Sequence, residues 1–406
     1  MKTRKNSLRE REAPTFPELD RAIEALRREA SRLPLLAPRP SPARERENRE
    51  RLFRGEKPRN EAPLIRRVID ARSAFRTLES ARRIAEQTPL AALLAPRLDE
   101  LELEFSILEA IGSPKLLRPL AKRRWSSDDE QIETSAGPIR PSRIALSILD
   151  ELEPDPEPAS LDAREAAALV KELATWVGFP IEVVISDELS SRAAAGDRTV
   201  YLANARFGAR EARRLAVHEL LGHLVSAANA KRQPTSALLL GTARSFEDQE
   251  GVAVFLEERA GLLGPSRLRT LAARLLAAES VFDGASYGET AQLLHRRHGL
   301  SADEALTIAG RVHRGGGLAR EGVYLPAYLR VRAAIVDQAL ELSALQRGRV
   351  SLGSLSELDR LERAGHLNPP AYTPSLAFIF GTTGEGTSFE TSPPSFVTSL
   401  QSPDAT

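Results

Sequence analysis

Cysteine is absent from the 406 residues, methionine occurs once, tryptophan twice and histidine only six times. Without cysteine there is no disulfide framework, no thiolate zinc cluster and no cysteine nucleophile. Any metal would rest on histidine and carboxylate, a donor set that suits a catalytic zinc better than a structural one. No window approaches the roughly twenty uninterrupted apolar residues of a membrane span. Charges fill Met1–Glu12 where a signal peptide would need its apolar core, so a soluble, cytoplasmic protein with no membrane partner is expected. Lys and Arg total 57 against 56 Asp and Glu, a net charge of +1, which gives no global field towards nucleic acid. Basic residues do cluster in Met1–Arg11 and Arg44–Arg59, but Glu interleaves them, and such mixed charge reads as a solvated, flexible arm.

What is present concentrates in Val217–Ala230, VHELLGHLVSAANA, which holds His218 and His223 with Glu219 directly after the first. Two imidazoles to hold a metal and a carboxylate to act on its water are what a zinc hydrolase needs within a few residues. In the familiar H-E-x-x-H pattern the histidines lie four apart and share one helical face. Here they lie five apart, and at about 100° per residue a regular α-helix would turn them roughly 140° from one another. The spacing therefore predicts a π-type widening of the helix, a deformation often found at functional sites, with Gly222 easing it.

Around this stretch the chain reads as α+β and mostly helical. Residues 1–15 form a charged flexible tail, 16–142 an N-terminal helical region, 143–375 the catalytic domain and 376–406 a disordered tail rich in Ser, Thr, Gly and Pro. Helical spacing marks Phe16–Leu33, Leu64–Ile84, Leu90–Ile111 and Arg143–Leu152, while Pro38–Pro42 and Arg44–Arg59 read as a linker and Ser126–Pro141 as a polar connection. After a helix through Trp176, Pro180–Ser186 and Thr199–Ala203 read as strands joined by a hairpin-like turn and leading into the His218 helix. A small sheet in that place offers an edge for an extended peptide beside the metal.

Downstream, Arg244–Leu263 reads as a long helix carrying four candidates for a third ligand, Glu247, Glu250, Glu257 and Glu258. The first three share a face by spacing and Glu258 turns away; each taken singly reads as a solvated surface residue. Further helices are expected at Pro265–Ser280, Tyr287–His298, Ser301–His313, through Leu345 and at Leu355–Ala364. RVHRGGGLAREGVYL, Arg311–Leu325, joins three glycines to Arg311, Arg314, Arg320 and Tyr324. Arginines there suit a substrate carboxylate, and a tyrosine hydroxyl suits an oxyanion.

QEGVAVF at Gln249–Phe255, HELLGH at His218–His223, the strand pair before them and RVHRGGG with VYL after them together resemble the microtubule-associated tyrosine carboxypeptidase family, whose bacterial members carry a QEGLA motif. The resemblance follows the order of elements from Phe16 to Pro374 and is specific between Val177 and Leu325. It implies a zincin-like core holding one Zn2+ per chain, with His218, His223 and Glu250 as ligands and Glu219 as base. It also implies a metallocarboxypeptidase removing a C-terminal residue, Tyr or Glu, from a peptide or protein partner. Val252 stands where the family has Leu, Ala230 where Gly is common, and LARE at Leu318–Glu321 where a pattern like FTKD is usual, so that Arg320 falls at the family's Lys. HELLGH is also similar to dipeptidyl-peptidase III, although LEERAG at Leu256–Gly261 departs from that family's glutamate motif. A dipeptidyl-peptidase-type exopeptidase and a non-enzymatic zinc-containing regulator are the alternatives.

Overall fold

The computed structural model describes residues 16–31, 42–59, 71–127, 130–187, 189, 191–196, 198–314 and 317–374. The expected tails at 1–15 and 376–406 lie outside them, as do residues 38–41, Leu64, Val68, Gly315 and Gly316. The apolar spacing at the start of the chain becomes α1 (Pro17–Ala30), α2 (Pro42–Phe53), α3 (Arg72–Ala85), α4 (Ala91–Glu109) and α5 (Pro114–Trp125). Then follow β1 (Ile132–Thr134), β2 (Gly137–Ile139), α6 (Pro141–Glu151), α7 (Ala163–Trp176), β3 (Glu182–Ser186), β4 (Ala193–Ala195) and β5 (Thr199–Ala203). Next come α8 (Ala209–Ala216), a π-helix (Val217–Leu224), α9 (Val225–Lys231), α10 (Ala237–Leu240) and α11 (Ser245–Arg259). The chain continues through α12 (Pro265–Phe282), α13 (Tyr287–Gln292), α14 (Ala302–Val312), α15 (Tyr324–Arg332), α16 (Leu342–Leu345) and α17 (Leu355–Arg363). The molecule is thus α+β and mostly helical, and no described helix is long and apolar enough to cross a membrane.

Local sequence sets several of these boundaries. Asp162 with Glu165, Ser286 with Glu289 and Ser301 with Glu304 form reciprocal capping boxes that start α7, α13 and α14, satisfying backbone donors that a helix start leaves open. One apolar core runs from Leu19 to Leu367, so α1, α3, α4 and α5 bury their apolar faces in the same interior as the helices after residue 143.

Three expectations are corrected. Arg44–Arg59 is not a linker in its first half, because α2 covers Pro42–Phe53. Arg44 pairs with Glu47 one turn on, Leu52 enters a small cluster with Tyr287, Ala291, Ala302 and Ala309, and Asn48 bonds both the N–H and the carbonyl of Arg59. Mixed charges at three-residue spacing support a helix as readily as a solvated arm. The polar connection at Ser126–Pro141 contains the β1–β2 hairpin. Finally, β3 and β5 do not form a hairpin. They are parallel, with Glu182 opposite Thr199 and Ser186 opposite Ala203, and it is β4, inside the Ala-rich connection, that pairs antiparallel with β5. The order β3-β5-β4 leaves β4 at the edge that packs against the π-helix.

The centre is a stack of the π-helix, α11 and α15, and two glycines bring these backbones together. A Cβ on Gly222 would lie 2.5 Å from the Ala253 Cβ, and one on Gly251 would lie 2.5 Å from the Ala327 carbonyl oxygen. Gly222, within the widened turn, thus also allows the close approach of α11. Gly251→Ala should cost about 1–3 kcal/mol by overpacking, read as a lowered thermal midpoint. Gly310→Ala in α14, where an added Cβ meets nothing within 4 Å, should instead raise stability by about 0.5–1 kcal/mol; a loss at Gly310 or none at Gly251 would contradict this packing.

Candidate metal centre

The five-residue histidine spacing and the local helix geometry agree. Val217–Leu224 is π-helical, and the Val225 N–H donates to the carbonyl of Leu220, five residues back. Residues five apart then sit about one turn apart. His218 and His223 accordingly share a face, their ring centroids 5.0 Å apart and their planes at 80°.

That face meets α11. The His218 Nε2 lies 3.3 Å and the His223 Nε2 3.6 Å from the same oxygen, Glu250 Oε2. Among the described residues these three form the one group of His and carboxylate side chains whose ligand atoms all lie within 4.8 Å of one another. Glu250 Oε2 is buried and has no hydrogen-bond partner, an unsatisfied position that a protein interior rarely tolerates. Two imidazoles gathered around one orphaned carboxylate oxygen fit a divalent metal of the zinc type in donor chemistry.

The outer contacts are as definite. His218 Nδ1 lies 2.7 Å from Glu257 Oε1, and Glu257, fully buried, accepts from Arg267 Nε at 2.9 Å, Arg267 Nη2 at 3.0 Å and Arg214 Nη1 at 3.2 Å. The bond to Glu257 keeps a proton on Nδ1, so that Nε2 is the nitrogen turned towards Glu250 and the one a metal would take. Burial alone would lower the His218 pKa, but Glu250 and Glu257 raise it to about 9. Burial would likewise raise the Glu250 and Glu257 carboxyls. His223 and His218 hold Glu250 well below the ordinary range, and Arg267, Arg214 and His218 do the same for Glu257. Glu219 is also buried, and its carboxylate carries no hydrogen bond or ion pair among the described residues.

The four glutamates of α11 are therefore distinguished by their partners, and none is a solvated surface residue. Glu247 bonds Arg124, Glu250 faces the two histidines, Glu257 orients His218, and Glu258 accepts from Tyr328 and Arg332. The later segment is divided. Tyr324 is half-buried close to Glu250; burial first, then Glu250 and Glu321, raise its hydroxyl pKa and keep it protonated. Arg311 is committed through Nε and Nη2, at 2.9 Å each, to Glu321. Arg320 stacks on the Phe246 ring at 4.1 Å, while Arg314 follows the end of α14. His313 turns towards α13 and meets Thr290 Oγ1 at 2.9 Å. Sequence reasoning missed Arg214, Arg267, Arg274 and the part Glu257 plays. Arg214 lies four residues before His218, and Arg267 and Arg274 lie seven apart on α12, spacings that put each pair on a common face. Glu257→Ala would strand Arg214 and Arg267 without their acceptor and should cost about 3–5 kcal/mol in urea unfolding. Glu257→Gln keeps one acceptor oxygen and should cost less; equal losses would mean the ion pairs do not hold this region.

A family model described as microtubule-associated tyrosine carboxypeptidase matches residues 52–383, most of the chain. No curated protein and no solved structure matches it. The chain therefore belongs to the microtubule-associated tyrosine carboxypeptidase family, and carboxypeptidase-type hydrolysis is the activity that membership implies.

Proposed function

We propose that this protein is a zinc-dependent carboxypeptidase with a zincin-like core, removing a residue from the C-terminus of a peptide or protein. The observation that carries the reading is the convergence of the His218 and His223 ring nitrogens on one buried, unpartnered oxygen of Glu250, next to the buried Glu219, which has no hydrogen bond or ion pair among the described residues. His218, His223 and Glu250 would hold one Zn2+, which when bound supplies Lewis acidity to a water and to the scissile carbonyl. Glu257, locked by Arg214 and Arg267, keeps His218 in the tautomer a ligand needs.

Glu219 has no partner among the described residues competing for its oxygens, so it can take a proton from the attacking water and return it to the leaving amine. Tyr324, held protonated beside Glu250, can donate to the oxyanion that forms at the scissile carbonyl. The edge strand β4, packed against the π-helix, offers backbone groups to an extended substrate. Arg314 and Arg320 remain the basic residues that the Arg311–Leu325 segment contributes to substrate recognition, while Arg311 is held by Glu321. The family's description names tyrosine as the residue removed, and tyrosine or glutamate is the preference this reading carries, in a cytoplasmic setting.

Elemental analysis should find about one zinc per chain in the wild type and little in His223→Ala or Glu250→Ala. Glu219→Gln should keep the metal and lose about 10²–10⁴ in turnover. A wild type that stays metal-free after incubation with zinc, or a zinc-loaded Glu219→Gln that still turns over, would sink the mechanism. N-blocked and C-amidated peptides separate the exopeptidase classes: a carboxypeptidase tolerates the first and fails on the second.

A further inference from the structure

Four half-buried arginines beside the three-residue cluster pair, among the described residues, with two carboxylates. Glu257 takes Arg267 through two hydrogen bonds and Arg214 through one. Glu321 takes Arg311 through two and pairs with Arg274 Nη1 at 3.2 Å. Within this paired set, one wall of the site, the guanidinium groups outnumber the carboxylates by two, while Glu250, whose charge Arg267 and Arg311 also feel, faces the histidines; uncompensated charge in such an interior is costly. An anionic group of the substrate is the complement it lacks.

The excess is not spread evenly. Arg267 and Arg311 each engage a carboxylate in the two-pronged geometry that suits a guanidinium. Among the described residues Arg274 has its 3.2 Å pairing with Glu321 and no hydrogen bond, and its Nε is buried without an acceptor. Burial, opposed by Glu321 and reinforced by Arg311 and Arg267, lowers its pKa to about 10. Its guanidinium lies 5.2 Å from the centre of the Tyr324 ring, and Tyr324 in turn is close enough to Glu250 to feel its charge. The Arg274 side chain retains 13% of its surface, against 18% for Arg311.

We infer that Arg274, on α12, is the anchor for the terminal carboxylate of the substrate. The inference rests on the carboxypeptidase reading above and names the residue that recognises the chain end. A carboxylate arriving beside Tyr324 would supply the acceptor Arg274 lacks and offset part of the wall's excess charge. An amidated end brings no charge and adds a donor facing a donor, so the site rejects it. Arg311, fully engaged by Glu321, holds that glutamate in place and is a positioning residue.

The test uses the full-length, zinc-loaded protein and one N-acetylated peptide made with a free or an amidated C-terminus. kcat/KM is measured for both peptides, and binding of both is measured calorimetrically in the inactive Glu219→Gln background. The parent should prefer the free acid by on the order of 10²-fold or more. Arg274→Gln should lose about that factor on the free acid in both assays while zinc content and the weak binding of the amide stay unchanged. Arg274→Lys, which keeps the charge with fewer donors, should recover part of the preference, and it carries the test if Arg274→Gln loses its thermal transition. A parent that discriminates, with variants that discriminate equally, overturns the anchor alone. A parent that treats the two peptides alike overturns the carboxypeptidase reading and the anchor with it.

Discussion

The acidic side chains of α11 are buried, and their partners come from α5, α8, the π-helix, α12 and α15. Arg124 of α5 meets Glu247, Arg330 of α15 meets Asp248, and the π-helix histidines meet Glu250. Arg214 of α8 and Arg267 of α12 meet Glu257, and Arg332 with Tyr328 meets Glu258. Ion pairs of this kind contribute little net stability, because desolvation offsets most of their attraction. Breaking one strands a charge in the interior, so each pair strongly disfavours any other register of α11. The helix acts as a keyed element whose position determines where its neighbours sit.

The site follows from that keying. With α11 fixed, Gly222 and Gly251 let the π-helix and α15 approach its backbone on either side. The same approach that brings Ala253 against Gly222 sets Glu250 against His218 and His223. Glu257, two turns along, reaches the far nitrogen of His218, so one helix supplies both a carboxylate on the inner side of the imidazole and the carboxylate that orients it. The support for the three-residue cluster is thus built from rigid helices, the condition under which such geometry is held closely. The α12 wall adds the complementary feature, a positive excess near Tyr324 and Glu250.

Much of this was legible residue by residue. The helical spacing, the strands at 182–186 and 199–203 and the need for a widened turn at H-E-x-x-x-H all come from patterns within one element. Where reading went astray, the cause was a partner elsewhere in the chain. The charges of 44–53 read as a solvated arm because Leu52 has its apolar neighbours on α13 and α14. The strands β3 and β5 looked like a hairpin because an Ala-rich stretch does not announce that it contributes β4.

The sequence by itself determined that the protein is mostly helical with a small sheet, that any metal would rest on histidine and carboxylate, and that His218 and His223 could meet only on a deformed helix. These follow from composition and from spacing within a single element. Spacing left the four glutamates of α11 open and only the family resemblance pointed to Glu250; the tertiary structure decided what each of the four meets, which one orients His218, and which arginine is left short of acceptors. On α11 every glutamate has the same chemistry, and helical spacing places them only relative to one another. Their differences arise from what packs against each, and that is a property of contacts made across the fold.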